Sequence, residues 1–201
     1  MKRILSTLIL AACAVASASA QSLTPADRDK AMAYLETTKD GVLAATAGLS
    51  PAQWAFKAAP DKWSVAEVTE HIAAAEDLLR GMIEEQVLKA PARTEPVDVA
   101  VVDAFVMKAI PDRSVKAQAP EPLKPTNRFG SPEESLKHFT EARAKTESLL
   151  KERADLRAHA IDSPLGKPLD GYEWILFIAA HSERHTKQIA EVKADAGFPK
   201  K

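Results

Sequence analysis

The chain of 201 residues has one cysteine, Cys13, near its start. Should the first 20 residues be removed, none is left. That excludes disulfides, a thiolate nucleophile and cysteine metal ligands. A domain without disulfides is held by its core alone, and the remaining length suffices for one domain. Long apolar runs are also missing: nothing reaches the roughly 20 residues that a membrane-spanning helix needs. Nor is positive charge in excess. The net charge is −1, and falls to about −3 without Lys2 and Arg3. Phosphate binding asks for a basic face, so nucleic acid is not an expected partner. A small-molecule substrate of unknown identity, and a second copy of the chain in a homodimer, are the partners left to consider.

What is present begins with a leader-like order. Lys2 and Arg3 precede an apolar run from Ile4 to Val15, and Ala16 to Ala20 are all small. This is the arrangement of a secretory signal peptide, with Ala18-Ser19-Ala20 as the cleavage pattern. The expectation is a signal peptide at 1–20, one domain at 21–201 starting at Gln21, and a periplasmic or secreted protein. Leu10-Ala11-Ala12-Cys13 offers a competing route, in which Cys13 is lipidated and anchors the protein to a membrane surface.

Four segments carry the same helix-start signature, a Ser or Thr followed three residues later by an acid or amide: Thr24–Asp27, Ser50–Gln53, Ser64–Glu67 and Ser131–Glu134. In three of them Pro stands at the first helical position, where its missing N–H costs nothing. The first helix is expected over Pro25–Gly48 and a short turn over Ser50–Phe56. A second helix runs over Val65–Lys89, with Val68, Ile72, Ala75, Leu79 and Met82 as its stripe. Val97–Ile110 is nearly all apolar and reads as a short helix, with a strand as the alternative. Four prolines between Pro111 and Gly130 oppose regular structure there. A third helix is expected over Pro132–Arg153, and a fourth from Gly171 to Ala196, ending at Gly197. No strand alternation competes. The fold class is all-α: a four-helix bundle with a long crossover connection between the second and third long helices.

On the last helix Trp174, Ile178, His181, His185 and Val192 share one face. Two histidines at i and i+4 project from one side and form a recurrent metal-binding pair. Two stacked buried rings need two partners if neutral and repel if charged. Spacing alone does not decide between a metal pair and packed core histidines. His71, at the edge of the second helix's stripe, is suited to line a cleft between helices. His138 and His159 read as surface or supporting residues. Glu67 is a candidate proton-handling residue, though better placed as the capping acid of Ser64. Glu70 and Asp77 read as solvent-facing, and Trp63 and Trp174 as packing residues.

Trp63-Ser64-Val65-Ala66-Glu67-Val68-Thr69-Glu70-His71 resembles the W-S-x-x-E-x-x-x-H block that opens the second helix of the DinB-like superfamily. His181 to Ile189 resembles that family's H-x-x-x-H-x-x-Q-I block, and Leu165-Gly166 followed by Gly171 to Trp174 resembles the approach to its last helix. The resemblance implies a four-helix bundle and one divalent metal ion on His71, His181 and His185. Three imidazoles leave coordination positions open, the layout of a catalytic site. All-nitrogen ligation suits zinc or nickel, and iron less specifically. Two enzyme readings follow: hydrolysis by metal-activated water, or transfer of a small thiol, which the resemblance implies for some members. The alternative is a metal-binding or interaction module without catalysis. No catalytic base is singled out.

Overall fold

The computed structural model describes residues 22–200. The expected cleavage after Ala20 and the lipidation of Cys13 lie outside the described residues. Four long helices form a bundle: α1 (Pro25–Thr46), α3 (Val65–Glu85), α5 (Pro132–Glu152) and α6 (Gly171–Lys193). Between them stand the short helices α2 (Pro51–Ala55) and α4 (Val99–Ala109). α6 packs between α1 and α3, and α5 packs against the other sides of the same two helices. α1 and α3 are therefore diagonal, while α3 and α6 are neighbours along their length.

The local chemistry of the helix starts is as the sequence suggests. Full reciprocal capping boxes form at Thr24 with Asp27, Ser50 with Gln53 and Ser64 with Glu67. Ser131 caps α5 through its hydroxyl alone, accepting from the Glu134 N–H. A box that sequence reading passed over starts α6: Asp170 accepts from the Glu173 N–H at 2.8 Å, and the Asp170 N–H donates back to Glu173 at 2.7 Å.

Some boundaries differ. α3 stops at Glu85, and its expected last turn is a 3₁₀ turn at Val87–Lys89. α6 ends at Lys193 rather than Ala196, because Asp195 turns back to accept from the Gly197 N–H at 2.8 Å. Two strands were not expected: β1 (Ala160–Asp162) and β2 (Pro168–Asp170) pair antiparallel, with Ile161 opposite Leu169. Three residues are too few to show an alternation in sequence.

The long crossover between α3 and α5 is present. After the 3₁₀ turn at Val87–Lys89, α4 lies against α6, and a second 3₁₀ turn follows at Glu121–Leu123. Two large apolar clusters make up most of the core, and a small third one joins Ala74 and Ala75 to Leu123. The first contains Leu35, Ile83, Leu150, Trp174, Ile175 and Ile178; the second contains Val42, Val68, Ile72, Phe139 and Ile189. Between these two lies a polar layer made of Thr38, Glu76, Arg143, Thr146 and Ser182, all buried. Arg143, fully enclosed, donates to both oxygens of Glu76 at 2.8 and 2.9 Å, to the Leu35 carbonyl at 2.6 Å and to Ser182 at 2.9 Å. This one side chain ties α5 to the other three long helices.

Candidate metal centre

His71 lies two turns into α3, and His181 and His185 lie one turn apart on α6, at the level of the polar layer. Because α3 and α6 are neighbours, the three rings meet. Their Nε2 atoms form a near-equilateral triangle: His71 to His181 is 3.2 Å, His71 to His185 3.1 Å and His185 to His181 3.1 Å. Among the described residues this is the one group of three or more His, Cys, Asp or Glu donors that converges. No carboxylate joins it.

The donor set fits a first-row divalent ion. Nitrogens bound at about 2.0–2.1 Å stand roughly 3.3–3.4 Å apart at tetrahedral corners, and roughly 2.8–3.0 Å apart when cis on an octahedron. The observed separations fall between the two. The spacing therefore accommodates either geometry and does not select the metal.

The outer nitrogens settle which lone pairs point inward. His71 Nδ1 faces the Leu123 carbonyl at 2.8 Å. A carbonyl only accepts, so this nitrogen carries the proton, and in the neutral ring Nε2 is left as a bare lone pair. His185 Nδ1 faces Gln188 Oε1 at 2.8 Å. The amide is oriented by Arg113, whose Nη1 approaches the same oxygen at 3.4 Å and can only donate. His185 Nε2 is therefore also an acceptor. Two inward lone pairs thus face each other at 3.1 Å, with a third ring nitrogen beside them. Without a cation or a shared proton that arrangement is repulsive.

Electrostatics favour neutral rings. Burial lowers the pKa of His71, and burial together with the neighbouring rings and nearby arginines holds His181 and His185 well below the usual histidine range. Neutral imidazole is the coordinating form. His71 and His185 are buried, while His181 is partly exposed. Aromatic rings flank the triangle: Trp63 packs at 4.9 Å from His71, and Phe177 stacks near-parallel to His181 at 6.4 Å.

The other named residues lie elsewhere. Glu67 is engaged by the Ser64 N–H at 2.7 Å and by Lys57 at 2.9 Å, so it is the cap and stands outside the triangle. His138 pairs with Asp77 at 2.5 Å and stacks on Phe129, and His159 bonds the Ala90 carbonyl at 2.6 Å. Two carboxylates correct the sequence reading. Asp77 is half-buried and holds His138 and Arg80. Glu70 is buried, because the crossover folds over it and supplies hydrogen-bond donors that no helical pattern reveals. Sequence reading also missed Leu123, whose role is a main-chain carbonyl without a sequence signal, and Arg113. Gln188 was legible: at three residues beyond His185 it lies on the same side of α6.

Comparisons with known proteins bear on the family and the fold. The chain is 27% identical over 150 residues to the YuaE protein of Bacillus subtilis (strain 168), itself uncharacterized, covering 73% of this chain and 86% of that one. Among solved structures it is similar to YfiT from Bacillus subtilis, described as a probable metal-dependent hydrolase with an unusual four-helix bundle topology. That likeness has a TM-score of 0.56 at 17% identity, over 89% of this chain and 93% of YfiT, and it supports the fold. Residues 34–189 match the DinB superfamily as a whole, and the chain belongs to that family.

Proposed function

We propose that this chain is an exported, divalent-metal-dependent enzyme of hydrolase type, with the ion held by His71, His181 and His185. The observation that carries the reading is the Nε2 triangle of 3.1–3.2 Å sides, with two of its rings fixed from behind as inward acceptors. When bound, the ion supplies Lewis-acid chemistry and brings the pKa of water towards neutrality. The chain's own contribution is positional. The Leu123 carbonyl and Gln188 hold two rings in the coordinating tautomer. His181, the partly exposed ring of the three, is the side on which a small molecule would approach, with Phe177 stacked beside it. Hydrolysis is favoured over thiol transfer because an exported protein would be away from the cytosolic thiol pool, and because YfiT, which shares the fold, is described as a probable metal-dependent hydrolase. Zinc and nickel suit the donors best, with iron next.

The test is metal analysis of protein purified without an affinity His-tag. Wild type should carry near one equivalent per chain, and His185→Ala should lose most of it. Equal, low metal in both overturns the reading. Metal that binds stoichiometrically but is shielded from added small ligands such as cyanide or thiols would instead identify a non-catalytic binding module.

A further inference from the structure

Glu70 precedes His71 on α3, and its carboxylate is nearly inaccessible, at 7% side-chain exposure. It lies beyond the first turn of α3, so the helix's own N-terminus does not account for it. All its partners come from the crossover. It accepts the main-chain N–H groups of Thr126 at 2.7 Å, Asn127 at 2.9 Å and Arg128 at 3.2 Å, and the Arg128 Nε at 3.2 Å. Asn127 has a φ of 61°, the left-handed conformation that lets successive amides converge on one anion. Arg128 then reaches back to the carbonyls of Pro122 at 2.8 Å and Lys124 at 2.6 Å, closing the loop on itself. Inside this closed loop the side chain of Leu123 packs on Ala74 and Ala75, and its carbonyl meets His71 Nδ1 at 2.8 Å.

We propose that Glu70 is a positioning residue for the metal centre: it gathers residues 120–128 into a strap that presents the Leu123 carbonyl to His71 and so aims that ring's Nε2 at His181 and His185. The proposal rests on the metal reading above. It goes further by giving the crossover a function and by naming the carboxylate through which it acts. The metal and the strap are then linked. An ion that prefers the aimed ring stabilises the closed strap, and a closed strap strengthens ion binding by the same factor. Partners that orient a ligand from behind are worth about 10- to 100-fold in metal affinity.

The experiment is zinc titration in competition with a chromophoric chelator, on untagged wild type, Glu70→Gln and Asp77→Asn. The last removes a half-buried α3 carboxylate that holds His138 instead of the strap. Glu70→Gln should bind zinc about 10- to 100-fold more weakly, and Asp77→Asn should stay close to wild type. In parallel, hydrogen exchange of wild type should show zinc slowing the amides of Lys124, Thr126, Asn127 and Arg128. This second measurement needs no variant and stands even where Glu70→Gln fails to fold. Tight zinc binding by wild type with no slowing of those amides, or with an unchanged affinity in a folded Glu70→Gln, overturns the proposal alone. Wild type that binds no zinc overturns the metal reading as well.

Discussion

Replacing Arg143 with Met removes the one cation that pairs with Glu76 among the described residues. The guanidinium is fully buried and makes hydrogen bonds of 2.6–3.0 Å to Glu76, the Leu35 carbonyl, Thr38 and Ser182. In Arg143→Met, Glu76 would keep Thr146 as a donor at 2.8 Å but would face the core as an uncompensated anion. Breaking one side of such a pair costs about 3–5 kcal/mol. For a domain of this size that is roughly 6–20 °C in Tm, at about 2–4 °C per kcal/mol. Urea denaturation of wild type, Arg143→Met, Glu76→Leu and the double variant measures it. The double variant should be more stable than either single one, because it removes both charges and refills the space with apolar atoms. A single-variant loss below about 1 kcal/mol, or a double variant as unstable as the sum of the singles, would refute the reasoning.

Gly171 lies where a Cβ would meet Leu156 Cδ2 at 2.9 Å and the Leu156 carbonyl oxygen at 3.1 Å. Gly171→Ala should therefore lose about 1–3 kcal/mol in chemical denaturation, and an unchanged midpoint counts against that close approach. Glu173, buried beside Asp170, has its carboxyl pushed up to about 7 from the ordinary 4.5, burial being the first cause. The fold then holds a proton that the unfolded chain releases, so this group's stabilising contribution is present at low pH and is lost as pH rises from about 4.5 through 7. Stability measured at pH 5 and pH 8 should shift in favour of Glu173→Gln as pH rises, by about 3 kcal/mol at most; a pH-independent difference refutes it. The metal-free histidines act in the opposite direction. Their lowered pKa values make the fold reject protons that the unfolded chain takes up, so stability falls as pH drops below about 6.5. Replacing all three with Gln should flatten that fall in chelator-treated protein, and an unchanged slope counts against neutral rings. In an exporting bacterial host, the mass of the recovered protein should correspond to a chain starting at Gln21, whereas a lipid-modified chain starting at Cys13 identifies the competing route.

The parts of this molecule that were legible in sequence are those whose cause is local. Ser64 and Glu67 sit three apart and close a capping box whatever surrounds them. The His181–His185 pair follows from helical spacing. Long-range partners were the blind spot. Glu70 looks like a surface acid because its burial is created some 56 residues later, by Thr126 and its neighbours. Asp170 and Glu173 make a local box that was readable in principle. The charged cluster in which they sit was not, since it takes Arg157 and Asp103 from two other segments, with Arg157 donating to Asp103 at 2.7 and 2.9 Å. A main-chain acceptor such as Leu123 leaves no trace in residue identity at all.

One consequence joins the buried ion pair to the histidines. Ser182 follows His181 and precedes His185 on α6, and its hydroxyl accepts from Arg143 at 2.9 Å. The turn of α6 that carries the two rings is thus held by Arg143 on one face while the rings meet His71 on another. At about 100° per residue, a slip of one position would take Ser182 out of Arg143's reach and carry both imidazoles away from α3. The polar layer gives up apolar packing at the centre of the bundle, where hydrophobic side chains would serve stability as well or better. In exchange it fixes the rotation of α6, and three ring nitrogens a little over 3 Å apart tolerate very little rotation. That is why Arg143→Met should weaken zinc binding as well as the fold. The same titration applied to the Glu76→Leu/Arg143→Met double variant separates the two effects: stability recovers there, and affinity should not.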